Sequence, residues 1–136
     1  MSMKTIALIE KGEDGTFGIF TPDIQSCIIG DGSTVAEAKA DFENSVREVK
    51  EAYLENNDKL PMELQNITFE YKYDIASFFN YFDWINISKF SKRAKINGSL
   101  MHHYKGGEYI SERQVAKIEK ALHDLGREIV EIKLTV

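Results

Sequence analysis

The spacing of the apolar residues changes halfway along the chain, and this change limits the folds that the sequence can adopt. Before Asp74, apolar residues form short strand-like runs around a single helical segment, and over residues 67–73 they alternate with polar ones. From Asp74 onward they recur every three or four residues, which is the period of an amphipathic helix. The sequence therefore predicts an α+β protein with two domains, residues 1–73 and residues 74–136.

The first domain is predicted to be a sheet covered on one face by one helix, in the order β-β-β-α-β. Short runs rich in β-branched and aromatic residues, separated by Gly and Pro, indicate the strands. Thr34 and Glu37 have the spacing of a capping box, and the apolar stripe that follows marks a helix that ends near Asn56. The predicted strands cover residues 4–10, 16–21, 24–29 and 67–73.

The second domain is predicted to contain four helices followed by a strand. Ser111 and Gln114 have the spacing of a second capping box, and Gly126 is expected to end the last helix. Residues 129–136 alternate apolar and polar side chains, which is the pattern of a strand. Because this domain offers no other strand, the tail must pair with another copy, pair with the distant sheet or stay exposed, and we take residues 130–136 as part of a self-association surface. The predicted helices cover residues 75–84, 87–94, 98–105 and 111–126.

The net charge differs between the two domains. Residues 1–73 carry seven Lys and Arg against 14 Asp and Glu, a net charge of −7, whereas residues 74–136 carry ten against eight, a net charge of +2. Within the second domain, residues 86–105 contain five basic residues, two His and no acidic residue. An acidic surface attracts a basic partner and an acid-free basic segment favours phosphate, so the chain is predicted to have two different partners.

The single cysteine and the shortness of the apolar runs exclude several classes of protein. Cys27 cannot form an intrachain disulfide or a Cys-cluster zinc site, and it is expected to be buried on a strand. No apolar run approaches the roughly 20 residues that span a bilayer, and the run at residues 5–9 is too short for a signal peptide. We therefore expect a cytoplasmic protein with no membrane partner.

Residues 87–105 have the layout of a helix-turn-helix DNA-binding unit, in which two short helices are joined by a tight turn and followed by a supporting helix. This stretch resembles the Xre/Cro-type family, in which apolar residues at fixed distances from the turn build the core of the helix pair. The residues that fit those core positions are Phe90, Ile96, Met101 and Tyr104. The chain departs from the family at Lys95, where a turn Gly is usual, and at Ser91, where Ala is usual.

The helix-turn-helix layout implies that the helix over residues 97–105 lies in the major groove of DNA. The side chains expected near base edges are Asn97, Ser99, His102 and His103. The side chains expected to meet phosphates are Lys92, Arg93 and Lys105. The alternative interpretation of the two adjacent His is a solvent-exposed pair; a metal site is not expected, because neighbouring residues on a helix diverge and Cys partners are lacking.

The first domain carries a motif that resembles the HicB antitoxin family, and the resemblance covers roughly residues 4–60. The family pattern joins an acidic-Gly turn, an aromatic strand, a Pro-Asp-Leu-Pro-Gly-Cys segment and a Thr-x-x-Glu-Ala helix start. The matching residues are Asp14, Gly15, Phe17, Pro22, Asp23, Ile24, Cys27, Gly30, Thr34, Glu37 and Ala38. Gln25 and Ser26 depart from the usual Pro-Gly.

This resemblance implies an RNase H-like fold that acts without catalysis. In HicB proteins the first domain binds a small, basic, mRNA-cleaving toxin of the HicA type and covers its active site, and the second domain binds the operator of their own operon. We expect no catalytic residue, metal or cofactor, since RNase H-type catalysis needs several carboxylates converging on two metal ions. Here Asp14, Asp23 and Asp31 fall on turns or strand ends, where Asp commonly bonds to the backbone. The implied function is an antitoxin and autorepressor that forms a dimer or a larger homo-oligomer.

Two alternatives stay open from the sequence. The chain could be a stand-alone transcriptional regulator whose first domain oligomerises or senses a small ligand, or an interaction module that binds no DNA. The sequence specifies neither the operator nor the residues that contact a toxin.

Overall fold

The computed structural model describes residues 3–136, and over this range the protein has an α+β architecture with one four-stranded mixed sheet and five α-helices. The chain divides into two compact units, the first ending at Phe78 and the second beginning at Phe79. The predicted division lies slightly earlier, because the start of the next helix bonds to the first unit: the backbone N–H of Lys11 donates to the hydroxyl of Ser77 over 3.1 Å. No helix in the described range is long and apolar enough to cross a membrane.

The first unit is built on a sheet with a helix crossing one face. Its elements are β1 (Met3–Lys11), β2 (Phe17–Phe20), β3 (Ile29–Gly32), α1 (Val35–Glu55), a short 3-10 helix (Met62–Leu64) and β4 (Ile67–Tyr73). The strand order is β3-β2-β1-β4; β2 pairs antiparallel with β1 and β3, and β4 pairs parallel with β1. Helix α1 carries the chain from one edge of the sheet to the other, which is the kind of crossover that reaching a parallel strand requires.

Phe42 of α1 lies at the centre of the core between the helix and the sheet. It is fully buried, and its ring meets Phe69 and Tyr71 of β4 edge to face, with centroids 5.0 and 6.1 Å away. Helix α1 also lies directly on β3, because a Cβ atom at Gly30 would be only 2.4 Å from the backbone nitrogen of Phe42. Gly30, which the sequence marks as a turn residue, is therefore required for packing.

The start of α1 follows the predicted capping box with one difference. The hydroxyl of Thr34 accepts a hydrogen bond from the N–H of Glu37 over 3.1 Å, as expected. The carboxylate of Glu37 accepts from the N–H of Ser33 over 2.9 Å, one residue before the cap. Both bonds satisfy backbone donors at the helix start, so the beginning of α1 is fixed locally.

The third strand begins later than the sequence predicts. The predicted strand over residues 24–29 is wrong: β3 covers Ile29–Gly32, and the residues before it form a loop. The physical reason is Glu63, whose carboxylate accepts hydrogen bonds from the N–H groups of Gln25 and Ser26 over 3.3 and 3.0 Å. Because these N–H groups bond to a side chain, they do not join the strand ladder.

The second unit is helical. Its elements are the end of α2 (Ile75–Tyr81), α3 (Ile87–Ala94), α4 (Gly98–Lys105) and α5 (Glu112–Val130). Buried residues from all four helices are Phe79, Phe90, Met101, Ile118 and Ala121. The rings of Phe79 and Phe90 meet edge to face with centroids 5.9 Å apart, which joins α2 to α3 in one core.

Helix α2 is shorter than predicted. It ends at Tyr81, because a turn closed by the N–H of Ile85 and the carbonyl of Phe82 over 3.1 Å follows it. Trp84 therefore lies outside the helix, and 66% of it is exposed.

The predicted strand over residues 129–136 is wrong for the single chain. Helix α5 continues through Gly126, and its last residues are Ile129 and Val130. A glycine inside a helix costs only about 1 kcal/mol relative to Ala, which good helix formers on both sides offset. Residues 132–136 have no regular secondary structure, since the second unit, all of which is described, contains no strand that could pair with them.

Candidate nucleic-acid interface

Contacts at the helix ends fix α3 and the turn that follows it. Asn86 begins α3, because its Oδ1 accepts a hydrogen bond from the N–H of Lys89 over 2.9 Å. At the other end, Lys95 has a left-handed backbone with φ 57° and ψ 43°, so the N–H of Ile96 reaches the carbonyl of Ser91 over 3.0 Å. This is the Schellman arrangement, in which the left-handed position usually holds glycine.

Asn97 begins α4 directly after the turn. Its Oδ1 accepts hydrogen bonds from the N–H groups of Ser99 and Leu100 over 2.9 and 3.2 Å. The connection between α3 and α4 is therefore only three residues long. The two helices also approach closely, since a Cβ atom at Gly98 would lie 3.5 Å from the Oγ of Ser91.

The four residues predicted to form the core of the helix pair are all buried. The exposed fractions are 3% for Phe90, 6% for Ile96, 0% for Met101 and 6% for Tyr104. Ser91, where the sequence departs from the Xre/Cro-type pattern, is buried as well, and its hydroxyl donates to the carbonyl of Ser88 over 2.6 Å. The buried hydroxyl is therefore satisfied within α3, and the departure leaves the packing intact.

The seven side chains predicted to contact DNA lie on α3, on α4 and at the turn between them. Lys105 is half-buried, and the exposed ones are Lys92, Arg93, Asn97, Ser99, His102 and His103. The structure thus brings all seven onto two consecutive helices and their turn. Several of them already bond within the chain, and those bonds determine which atoms remain for a ligand.

Two of the predicted base-reading side chains use one polar atom for α4 itself. Asn97 uses Oδ1 as the helix cap, so Nδ2 remains for a base or a phosphate. The Nδ1 atom of His102 lies 2.8 Å from the carbonyl of Gly98, a geometry that requires a proton on Nδ1. The Nε2 atom of His102 is therefore an acceptor when the ring is neutral and a donor when it is protonated.

Two of the side chains predicted to contact DNA are paired with carboxylates from outside the basic segment. A guanidinium nitrogen of Arg93 lies 2.6 Å from the carboxylate of Glu128 on α5. The Nδ1 atom of His103 lies 2.9 Å from the carboxylate of Glu108. All four side chains are about half exposed, and exposed pairs of this kind contribute only about 0–1 kcal/mol each, so both pairs can open when DNA binds.

The sequence analysis missed both carboxylates and one pocket. Glu128 lies 35 residues after Arg93, and no local pattern links the two positions. A pocket of about 160 Å³ beside α3 is lined by residues that include Trp84, Lys89 and Arg93. Lys89 lies within the acid-free basic segment, so the charge pattern does indicate this residue. The helix-turn-helix layout does not include it among the positions that contact DNA.

The two adjacent histidines have different partners within the chain. His102 bonds to α4 itself, whereas His103 pairs with Glu108. Among the residues that the structure describes, no group of three or more His, Cys, Asp or Glu could hold a metal ion.

In the first unit, the loop that contains Asp23, Ile24 and Cys27 is held by Glu63. Its carboxylate accepts a hydrogen bond from the Ser26 hydroxyl over 2.6 Å, in addition to the bonds from the two backbone N–H groups. The bonds from the hydroxyl and the N–H of Ser26 hold the pKa of the Glu63 carboxyl below its usual value. Cys27 is in this loop and is exposed, which corrects the expectation that a strand buries it.

Acidic side chains line a depression formed by β1, β2, β3 and the β1–β2 turn. They are Glu10, Glu13, Asp14 and Asp31. The carboxylate of Asp14 accepts hydrogen bonds from the hydroxyl and the N–H of Thr16 over 2.7 and 3.0 Å, and these bonds lower its pKa. Asp14 therefore serves the turn, in line with its position in the sequence.

Compared with protein-family models, curated proteins and solved structures, the chain matches none of them. The resemblances to the HicB and Xre/Cro-type families therefore rest on the motif residues and their spacing. Those residues lie in the helices, turns and loops described for the two units.

Proposed function

We propose that the protein is an antitoxin and autorepressor of a toxin–antitoxin system. Its first unit binds and neutralises a small, basic, mRNA-cleaving toxin of the HicA type, and its second unit binds operator DNA through a helix-turn-helix. The protein acts in the cytoplasm as a dimer or larger homo-oligomer. It works by binding alone, without catalytic residues, metal or cofactor.

One observation carries the DNA-binding part of the proposal: the acid-free basic segment coincides with the helix pair. Residues 86–105 comprise α3, a three-residue connection and α4; their apolar side chains are buried except for Leu100, and four of their five cations are exposed. In the proposed complex α4 lies in the major groove, with Ser99 and His102 near base edges. Lys92 and Lys105 contact phosphates, which fixes the register of the protein on the duplex.

The two paired side chains join this interface in a second step. Arg93 binds a phosphate once it leaves Glu128, and His103 reaches a base edge once it leaves Glu108. Both pairs are exposed, so the net cost of opening each one is small. Asn97 contributes its Nδ2 atom while its Oδ1 keeps the cap of α4.

The antitoxin part of the proposal rests on the motif and on the charge of the first unit. Gly30 lies beneath α1, and Thr34 caps the start of α1. These two motif residues therefore support a fold shared with HicB proteins more directly than a shared binding partner. The net charge of −7 over residues 1–73 favours a basic partner. The proposed toxin is basic, which is the electrostatic complement of this unit.

Binding of the full-length protein to the DNA upstream of its own gene tests the DNA-binding part. The logarithm of the binding constant should fall linearly with the logarithm of the salt concentration, with a slope of about −0.9 per phosphate contacted. The double variant Lys92→Ala/Lys105→Ala should make the slope shallower by about two. The control variant Lys59→Ala/Lys72→Ala removes two exposed cations of the first unit and should leave the slope unchanged. Equal slopes for the two double variants would contradict the proposed interface.

A stand-alone regulator is the second candidate function, because the same helix pair would serve it equally well. That alternative predicts operator binding without any effect on a neighbouring toxin. The two candidates therefore differ in a growth experiment and not in a DNA-binding experiment.

A further inference from the structure

The end of the chain presents apolar side chains to solvent at alternating positions. Val130, Ile132 and Leu134 are 85%, 60% and 92% exposed, and Val136 is exposed as well. In an extended chain these four side chains lie on one face, and the polar residues between them lie on the other. Contiguous exposed apolar surface of this kind marks an interaction site.

The charges in this segment are complementary to a second copy of themselves. If two segments pair antiparallel about Ile132, Glu131 of one copy lies opposite Lys133 of the other, and Val130 lies opposite Leu134. A register centred on Lys133 would instead place two lysines face to face, which is destabilising. A shift by one residue would place apolar side chains opposite polar ones. Only the register centred on Ile132 pairs both the charges and the apolar residues.

The C-terminal half of α5 offers a surface that continues this apolar face. Leu122, Gly126 and Val130 follow each other at four-residue spacing and line one groove with Arg127. A Cβ atom at Gly126 would meet nothing within 4 Å, so the groove is open at this point. Val130 belongs both to the groove and to the alternating segment.

We propose that residues 130–134 of two copies pair as antiparallel strands in the register centred on Ile132, and that this pairing forms the dimer. The strand forms only when two copies pair. This explains why residues 132–136 of the single chain have no regular secondary structure. The pairing requires the last residue of α5 to leave the helix, a change confined to a fraying helix end. This inference supplies the self-association that the proposed function requires, since a helix-turn-helix reader uses two half-sites. It depends on neither DNA nor toxin.

Charge reversal and charge swap in the full-length protein test the register. The dissociation constant of the dimer is measured by analytical ultracentrifugation without DNA. Glu131→Lys and Lys133→Glu should each raise it roughly tenfold or more, because each converts two attractive cross-strand pairs into repulsive ones. The double variant, in which the two charges are exchanged, should return it to within about threefold of the starting value. Glu119→Lys, an exposed reversal elsewhere on α5, is the control and should have little effect.

The outcomes that overturn the proposal are distinct. Single reversals that leave the dissociation constant unchanged, or a charge swap that fails to restore it, would exclude this register. A protein that stays monomeric at tens of micromolar would exclude the pairing altogether. The variant Ile132→Ser/Leu134→Ser should be monomeric with unchanged helix content by circular dichroism, and a persistent dimer would place self-association elsewhere. None of these results depends on operator binding or toxin rescue, so they are separable from a failure of the proposed function.

Discussion

The two units hold their helices in place by different means. In the first unit, Gly30 lets α1 lie so close to β3 that one added methyl group would overlap the backbone of Phe42. In the second unit, the contact between α3 and α4 leaves 3.5 Å for a Cβ atom at Gly98, and helix-end contacts at Asn86, Lys95 and Asn97 define the geometry. Close packing therefore fixes α1 on the sheet, whereas helix-end contacts fix the turn between α3 and α4. Lys92 and Arg93 lie on the exposed surface of α3, so they can exchange partners without disturbing the core.

The largest expected effect is a loss of stability in the first unit that leaves the second unit unchanged. Gly30→Ala should destabilise the first unit by about 3 kcal/mol, because backbone atoms of α1 cannot move aside for the new methyl group. Trp84 is the only tryptophan and lies in the second unit, so its fluorescence reports that unit while circular dichroism reports both. Urea unfolding should show an early transition by circular dichroism alone. Gly18→Ala is the control, since its Cβ atom would lie 3.6 Å from the nearest atom, an ordinary contact. Similar losses in both variants would argue against packing at Gly30 as the cause.

Removal of the cap of α4 should affect the second unit by a smaller amount. Asn97→Ala leaves the N–H groups of Ser99 and Leu100 without their acceptor and should cost about 1 kcal/mol. Unfolding followed by Trp84 fluorescence measures this loss. Asn97→Ser keeps a capping oxygen and should retain most of the stability. If the two variants are equally stable, the cap does not define the start of α4.

Relief of the left-handed backbone at Lys95 should stabilise the second unit. Lys95→Gly removes the steric cost of φ 57° and should add about 0.5 kcal/mol after the higher chain entropy of glycine is subtracted. Lys95→Ala is the matched control, because it removes the same charge and keeps the steric cost. Urea midpoints of the two variants give the comparison, and an equal gain in both would assign the effect to charge.

Release of Arg93 should strengthen DNA binding without a comparable change in stability. Glu128→Gln breaks the exposed ion pair and removes one negative charge near α3, so the affinity for DNA should rise up to about fivefold. Glu119→Gln removes the same charge from another exposed position of α5 and should have a smaller effect. Fluorescence anisotropy with labelled operator DNA measures both. Equal gains would show that only the net charge matters.

The effect confined to the fewest residues is the pH dependence of the loop that contains Gln25 and Ser26. The pKa of Glu63 lies below its usual 4.5 because Ser26 donates to the carboxylate, so these bonds are intact at neutral pH. They should be lost only as the pH falls below 4.5 and through the lowered pKa, since the stabilisation belongs to the ionised form. The amide resonances of Gln25 and Ser26 should shift in this acid range, and in Glu63→Gln that shift should vanish. An unchanged titration in the variant would remove Glu63 as the cause.

Elements that depend on neighbours in sequence were predictable. The bounds of β4, α3 and α4 follow from alternation and from three- to four-residue spacing. These signals act within a few residues, so one sequence suffices to locate them. The positions of the seven proposed DNA-contacting residues on α3, α4 and their turn follow for the same reason.

Features that depend on distant residues were not predictable. The loop before β3 exists because Glu63 binds residues that lie 37 and 38 positions earlier. The pairing of Arg93 with Glu128 likewise joins two helices across 35 residues. In the tail, the alternating pattern was correctly identified, but a strand also needs a partner, which the single chain does not provide.

Growth after toxin induction tests the central proposal most directly. The toxin gene that the proposal expects, a small, basic open reading frame next to this gene, is expressed together with the full-length chain or with Lys92→Ala/Lys105→Ala. We predict that both forms relieve the growth arrest, because the substituted cations belong to the unit proposed to bind DNA and not to the unit proposed to bind the toxin. Failure of the unmodified chain to relieve the arrest would contradict the antitoxin function.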